Sequence, residues 1–347
     1  MQNPDRKDRS SRTGAVTMAT VGRLAGVSQV TVSRALSDPA KVSPEAMGKI
    51  REAIEITGYV PNAIAGALAS RRTRLITALV PSITNIVYSS LLHGFSDIMR
   101  GEGYQIMLSE IGFNAGDEEA AIAAHLSRRP DGLLLTGIHH SVPARRMLMA
   151  AAIPVVEIWD MTETPIDCCV GFSHADTGRL AADFAISAGY RHAATLSAGD
   201  ERAERRRFAF AERFATATGN TVTAIGLPIG TATLEMGRQG VARLVDEGLL
   251  QNRLESTVIH CSSDVIAHGA LIEARTRGLR VPEDLAIIGF GDQDFAAHTD
   301  PSLTTIRIDR DQLGRAAAEA LLSRFAGDTS APSIRLVGFE LMRRGSA

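Results

Sequence analysis

Gln29, Val30, Thr31, Ser33 and Arg34 lie in one short run, Ser28-Gln29-Val30-Thr31-Val32-Ser33-Arg34-Ala35-Leu36. Their side chains suit the edges of base pairs. An arginine can form a paired hydrogen bond to guanine, and an exposed valine methyl can meet the methyl of thymine. That chemistry needs a short helix presented to a major groove, with its N-terminal residues foremost.

The surrounding residues have the pattern to build and hold such a helix. Val21, Leu24 and Ala25 fall at helical spacing and predict an apolar face on a preceding helix. Gly26 stands where two helices must turn sharply, a position that favours a residue tolerant of positive φ. Ser28 is placed to cap the second helix, and Val32 and Leu36 are expected to bury one side of it. A third helix follows, with Ser43 as cap, Pro44 at its first position, and Met47, Ile50 and Ile54 as its apolar stripe. An ordinary helical hairpin has the same spacing, but the flanking segments agree with a reading head.

After the third helix comes Tyr59-Val60-Pro61-Asn62-Ala63-Ile64-Ala65-Gly66-Ala67-Leu68-Ala69. With this stretch, the Ala25-Gly26-Val27-Ser28 turn and Thr31-Val32-Ser33-Arg34, the chain resembles the lac-repressor (LacI/GalR) family from Val16 to about Phe339. The resemblance implies that Gln29, Val30 and Arg34 read bases, with Thr17, Ser28, Thr31 and Ser33 also at the DNA. It implies a hinge helix in which Asn62, Ala65 and Leu68 meet DNA, Leu68 wedged into the minor groove to bend the duplex. Two departures stand out. Thr20-Val21-Gly22 replaces the family's usual Asp-Val-Ala, and glycine inside a helix costs roughly 0.5–1 kcal/mol against alanine. Gly66 weakens the hinge helix, so the hinge is expected to order only with DNA and a dimer partner.

Charge supports this division. Residues 1–74 contain 12 Lys plus Arg against 6 Asp plus Glu, a net +6, and the remainder has 25 against 33, a net −8. Positive charge is concentrated where phosphate contact would require it. The organisation expected is a disordered arm at 1–15, a helix-turn-helix domain at 16–61, a hinge and linker at 62–74, and a ligand-binding and dimerisation core at 75–347. The arm is polar throughout, unlike a signal peptide, and no later run is long and apolar enough to span a membrane, so a cytoplasmic location is expected. Cys168, Cys169 and Cys261 are expected to be buried thiols.

From Leu75 onward short apolar runs alternate with helical stretches. Strands are expected at 75–81, 104–109, 132–136 and 155–158, and then at 168–171, 193–196, 221–225, 258–261 and 286–290. Helices are expected between them, for example at 87–100, 117–128, 176–188 and 264–277. Alternation of this length predicts an α/β core of parallel sheets covered on both faces, in two lobes. The resemblance implies a two-lobed, periplasmic-binding-protein-like core of doubly wound sheets behind an all-α helix-turn-helix headpiece, with a ligand between lobes joined by crossover strands.

The resemblance also implies the ligand contacts. These are Ser82 and Asn85 after the first strand, Glu157 and Trp159 at the fourth, then Phe172, Arg206, Asp264 and Asp292. Polar groups with an aromatic face suit a polyol, and Arg206 suits a carboxylate. The family's usual Arg-x-x-Gly-Phe reads Arg206-Arg207-Phe208-Ala209-Phe210 here with the glycine replaced, and Ser263 replaces Asn before Asp264. Other readings stay open. Asp264 and Asp176 could cap helices, Trp159 could be core, and most of the run from Arg202 to Arg207 could be a solvated helix face. Within the family, Val80-Pro81-Ser82-Ile83-Thr84-Asn85 and Glu157-Ile158-Trp159-Asp160 are similar to gluconate repressors, which implies a sugar acid as effector.

Enzyme readings fail on content. There is no Gly-Lys-Ser/Thr phosphate loop and no Gly-x-Ser-x-Gly elbow. His139-His140 lacks a ligand pattern for a metal, and no cofactor is expected. The reading is a ligand-responsive transcriptional regulator, a homodimeric repressor on operator DNA. Alternatives are regulation by a neutral sugar, a purine or a partner protein, and a ligand-binding transport protein on the same fold.

Overall fold

The computed structural model describes residues 16–61, 72–112, 115–249, 257–328 and 330–347. The arm at 1–15 and the hinge residues 62–71, with Asn62, Ala65 and Leu68, lie outside the described residues. The chain divides into two units, Met1–Thr73 and Arg74–Ala347.

The first unit contains α1 (Met18–Ala25), α2 (Gln29–Ser37) and α3 (Pro44–Thr57). Each begins on a hydroxyl cap. Thr17 Oγ1 accepts from Thr20 N–H at 3.3 Å, Ser28 Oγ from Thr31 at 3.1 Å and Ser43 Oγ from Ala46 at 3.3 Å. Gly26 ends α1 at φ 69°, as its place in the turn predicts. Val21, Ala25, Val32, Ala35, Ile50, Ala53 and Tyr59 form the core. Leu24 and Leu36 do not join it and are 53% and 38% exposed. The helices are too short to bury a wide stripe, and Ala25 and Ala35 take the inward places. Gly22 also does more than weaken a helix. A Cβ there would stand 2.8 Å from the Val27 carbonyl oxygen, so its absence lets the turn fold back on α1.

The second unit contains two six-stranded sheets. The first has the order β11-β5-β4-β3-β1-β2, all parallel, from β1 (Leu75–Val80), β2 (Gln105–Glu110), β3 (Gly132–Thr136), β4 (Val155–Ile158), β5 (Cys168–Gly171) and β11 (Ile334–Leu336). The second has the order β12-β10-β9-β8-β6-β7, from β6 (His192–Ser197), β7 (Val222–Gly226), β8 (Thr257–Cys261), β9 (Ala286–Gly291), β10 (Thr304–Ile308) and β12 (Phe339–Met342). Only β12 runs antiparallel, against β10. The inner strands β3, β4, β8 and β9 are buried along their whole length, the pattern of a parallel sheet covered on both faces.

Among the described residues eight helices cover the sheets: α4 (Ile86–Gly101), α5 (Ala115–Leu126), α6 (Val142–Ala151), α7 (His174–Ser187), α8 (Glu201–Thr218), α9 (Leu234–Asp246), α10 (Asp264–Thr276) and α11 (Arg310–Phe325). The chain passes between lobes three times: from β5 into α7, from β10 into α11, and from β11 to β12. The strands β10, β11 and β12, on which two of these passages depend, are not among those expected from the apolar pattern.

Candidate functional site

In the first unit, α2 presents Gln29, Val30, Ser33 and Arg34 on its exposed side, and Val30 is 64% exposed. Thr31 is half-buried. Its hydroxyl lies 2.9 Å from that of Ser28, so both are engaged in the cap as well as placed at the helix start. Thr17 is likewise a cap. Among the described residues Arg34 has no ion-pair partner, and α2 contains no acidic side chain. This is a short helix whose exposed side offers donors, a methyl group and, in its last turn, a free guanidinium.

In the second unit, a cleft of about 210 Å³ opens where the ends of β1, β4, β6, β8 and β9 converge. The C-terminal ends of parallel strands are where open α/β sheets bind ligands. One lobe contributes Thr84, Asn85, Tyr88 and Trp159, and the other Asp200, Arg202, Arg206, Ser262, Ser263, Phe290 and Gln293. Of the residues expected at a ligand, Asn85, Trp159 and Arg206 line this cleft together. Asn85 also caps α4, its Oδ1 accepting from Val87 N–H at 3.1 Å. Trp159 is both core and wall: it is 5% exposed and meets Phe172 and Tyr88 edge-on at 5.1 and 6.1 Å.

The other expected contacts do not line the cleft, and each has a partner that explains why. Ser82 is buried with its hydroxyl 3.1 Å from Thr84. Phe172 is buried behind Trp159, against His174. Asp264 is fully buried, bonded by Thr305 Oγ1 at 2.5 Å and Gln293 N–H at 2.7 Å, and burial pushes its carboxyl up to about 6. Asp292 is held by Arg307 at 2.6 Å and Arg344 at 2.7 Å. Glu157 accepts from Ile166 N–H at 2.7 Å and lies 3.2 Å from His140 Nε2.

His140 is held between two carboxylates, with Glu118 2.7 Å from its Nδ1. Burial disfavours its charge, but Glu118 and Glu157 outweigh burial and raise it to about 9. It is an internal imidazolium, and among the described residues no cluster could hold a metal ion. The three cysteines are free and buried, and burial pushes the thiol of Cys168 up to about 11 and of Cys169 up to about 12.

Arg206 is the most unusual group in the cleft. It is 5% exposed and lies 4.0 Å over the Phe290 ring. Its Nη1 donates to His174 Nδ1 at 2.7 Å and its Nη2 to the Ser262 carbonyl at 3.0 Å. His174 Nε2 donates to the Trp159 carbonyl at 2.9 Å, so one ring nitrogen donates while the other accepts. That is a neutral imidazole, held well below its usual range by burial and then by Arg206 and Arg202. Among the described residues Arg206 has no carboxylate partner and its Nε has no hydrogen-bond partner. Burial lowers it to about 10, still charged at neutral pH. Gly178 of α7 makes this placement possible, since a Cβ there would stand 2.2 Å from the Arg206 carbonyl oxygen.

The run around Arg206 is not a solvated face. Arg202 is 15% exposed, hydrogen-bonded to the Tyr88 hydroxyl and 4.0 Å from Asp200. Arg205 forms a two-pronged pair with Asp160 of the other lobe, one bond measuring 3.0 Å. Arg207 pairs with Glu204. Tyr88, Asp200, Arg202 and Ser262 are cleft residues that spacing and motif did not single out. The surplus of arginine in one helical turn is the signal that points to them, because so many cations in one turn need anions.

A model of bacterial regulatory proteins of the lacI family matches residues 17–62, and one of a periplasmic binding protein-like domain matches residues 182–347. The chain is 36% identical over 98% of both chains to the HTH-type transcriptional regulator GntR of Pseudomonas aeruginosa. It is 33% identical to GntR of Escherichia coli, across 92% of this chain and 95% of that one. Its fold matches the crystal structure of a LacI-family transcriptional regulator from Silicibacter pomeroyi with a TM-score of 0.88 at 30% identity, over 95% of this chain and 99% of that one.

Proposed function

The chain belongs to the LacI family of bacterial regulatory proteins, and on that premise we propose that it represses genes of sugar-acid catabolism and is released from its operator by the acid itself, gluconate first. That it is a ligand-responsive transcriptional regulator follows from the family. The observation that supports an acid effector is Arg206, a buried cation in the cleft with no carboxylate partner among the described residues. A buried charge is stable only when paired, and a ligand carboxylate is the natural partner for a guanidinium. Asn85 is the proposed partner for a sugar hydroxyl, and Trp159 the flat face against the carbon chain.

In this reading two headpieces of a homodimer occupy a pseudo-palindromic operator, because one short helix reads too few bases for a useful site. Gln29, Val30 and Arg34 read base edges. The effector shifts the arrangement of the two lobes and thereby lowers operator affinity, a coupling between two sites. Light scattering that gave a stable monomer would remove the dimer. The main test is operator binding followed with gluconate or glucose added, for wild type and Arg206→Ala. Gluconate should release wild type from DNA, and the variant should lose its response to the acid far more than any response to glucose. Wild type indifferent to gluconate would end the sugar-acid reading, and the family assignment would stand.

A further inference from the structure

We propose that the cleft selects a monoanion, with Arg202 and Arg206 as a joint clamp on its acid group and Asp200 as the residue that sets the limit of one negative charge. The proposal rests on the sugar-acid reading and adds to it the charge state of the effector and the residue that enforces it.

The charged side chains lining the cavity are Asp200, Arg202 and Arg206, a net charge of one positive. Just outside the wall, Asp264 is turned inward to Thr305 Oγ1 and the Gln293 N–H, and the other nearby charges are matched. Arg205 is paired with Asp160, Arg207 with Glu204, and Asp292 with Arg307 and Arg344. His174 is neutral. Asp200 lies 4.0 Å from Arg202, and it is also the strongest attractive charge acting on Arg206, although it forms no ion pair with Arg206. The two guanidinium groups thus share one carboxylate, and one positive charge is left over among the described residues. Two buried donor atoms, Arg206 Nε and Arg202 Nη1, have no hydrogen-bond partner there, and both belong to side chains that line the same cavity. Phe290 covers one face of Arg206, which leaves the edge of the guanidinium for a ligand.

A carboxylate placed on these two arginines makes the site neutral. A neutral sugar leaves Arg206 unpaired. A dianion leaves a negative charge in a place with little water, where an unpaired charge is costly. The rest of the wall argues the same way. Thr84, Asn85, Ser263 and Gln293 are uncharged and suit hydroxyl groups, so a second acid group at the far end of a sugar acid would find no cation among the described residues.

Asp200 permits a direct test. Its Oδ1 caps α8 by accepting from Ala203 N–H at 3.0 Å. Asparagine and serine cap helices about as well as aspartate, so Asp200→Asn and Asp200→Ser change the charge and keep the cap. The experiment is calorimetry of the full chain with gluconate, glucarate (the same chain with an acid at each end) and glucose. Wild type should bind gluconate at least about tenfold more tightly than either of the others, since like-charge juxtaposition and an unpaired buried cation each exceed that cost. In either Asp200 variant glucarate should gain about tenfold or more on gluconate, and Arg202→Gln should weaken gluconate about tenfold. Wild type that binds gluconate and glucarate equally, or folded Asp200 variants with an unchanged ratio, would overturn the charge limit and leave the sugar-acid reading intact. Wild type that binds neither acid would overturn both.

Discussion

Arg34 and Arg206 show how far the role of one residue type depends on its surroundings. Arg34 is exposed in the last turn of α2 and has no ion pair among the described residues, so its guanidinium is available to a base edge. Arg34→Ala should cost about 1–3 kcal/mol in operator binding and relax preference at one base pair. Titrations against operator and random DNA check this, and equal losses on both would make Arg34 a phosphate contact. His140 gives a pH prediction. Its folded value of about 9 lies above the unfolded value near 6.5, so its contribution to stability is full below about pH 6.5 and is lost as pH rises through about 9. Urea unfolding between those limits should show wild type losing up to about 3 kcal/mol that His140→Gln does not lose. Parallel curves would refute the charged triad. At this scale the sequence was readable in part. Asn85, Trp159 and Arg206 could be placed at the cleft by resemblance, but Asp264 could not be told from its neighbour. Ser263 caps α10 and lines the cleft, while Asp264 turns inward to Thr305 and Gln293. That distinction depends on the packing of β9 and β10, which spacing along one segment does not encode.

Elements were more legible where both faces are buried. The strands β3, β4 and β5 lie at the expected residues because a continuous apolar run has few other uses in a chain of this type. The strand β10 was not legible, since Thr304, Thr305 and Arg307 interrupt its apolar pattern, and β11 and β12 are short and half-exposed. The helix α8 was misleading in another way. Its arginine-rich start reads as a surface, yet that turn faces the cleft and the opposite lobe. Contact between α7 and α8 gives a prediction about how this turn is positioned. Gly178→Ala would gain helix propensity, but the new Cβ would meet backbone at 2.2 Å and backbone cannot rotate away. The helices must separate, so the variant should be less stable by about 1–3 kcal/mol, the range for overpacking. Because the clashing atom is the carbonyl of Arg206, ligand affinity should fall with it. Denaturant unfolding and calorimetry test the two effects. A variant as stable as wild type, with unchanged affinity, would show that α7 has room to move.

For the molecule as a whole, the two lobes are tied by three passages of chain and by side chains that meet across the cleft. Arg205 pairs with Asp160, Arg202 bonds to Tyr88, His174 to the Trp159 carbonyl, and His139 lies 2.9 Å from Glu201 at the exposed rim. All these groups lie on or beside the first turns of α7 and α8. Resemblance predicted the two lobes and the crossovers, but not which pairs join them, because the partners are distant in sequence. A ligand can shift such an arrangement only by binding one state better than the other. The proposed acid would touch Arg206 and Arg202 on one lobe and Asn85 and Trp159 on the other, so it would favour closed lobes. The Arg205–Asp160 pair favours the same state without touching the cavity, since neither residue lines it. Arg205→Ala should therefore weaken gluconate by about tenfold, or 1.4 kcal/mol, by making closure less favourable. Preference for the acid over glucose should persist, because Arg206 is still in place. Calorimetry of the variant with both ligands distinguishes the roles. Loss of the acid preference would make Arg205 a ligand contact, and unchanged affinity would mean that the pair does not bias the lobes.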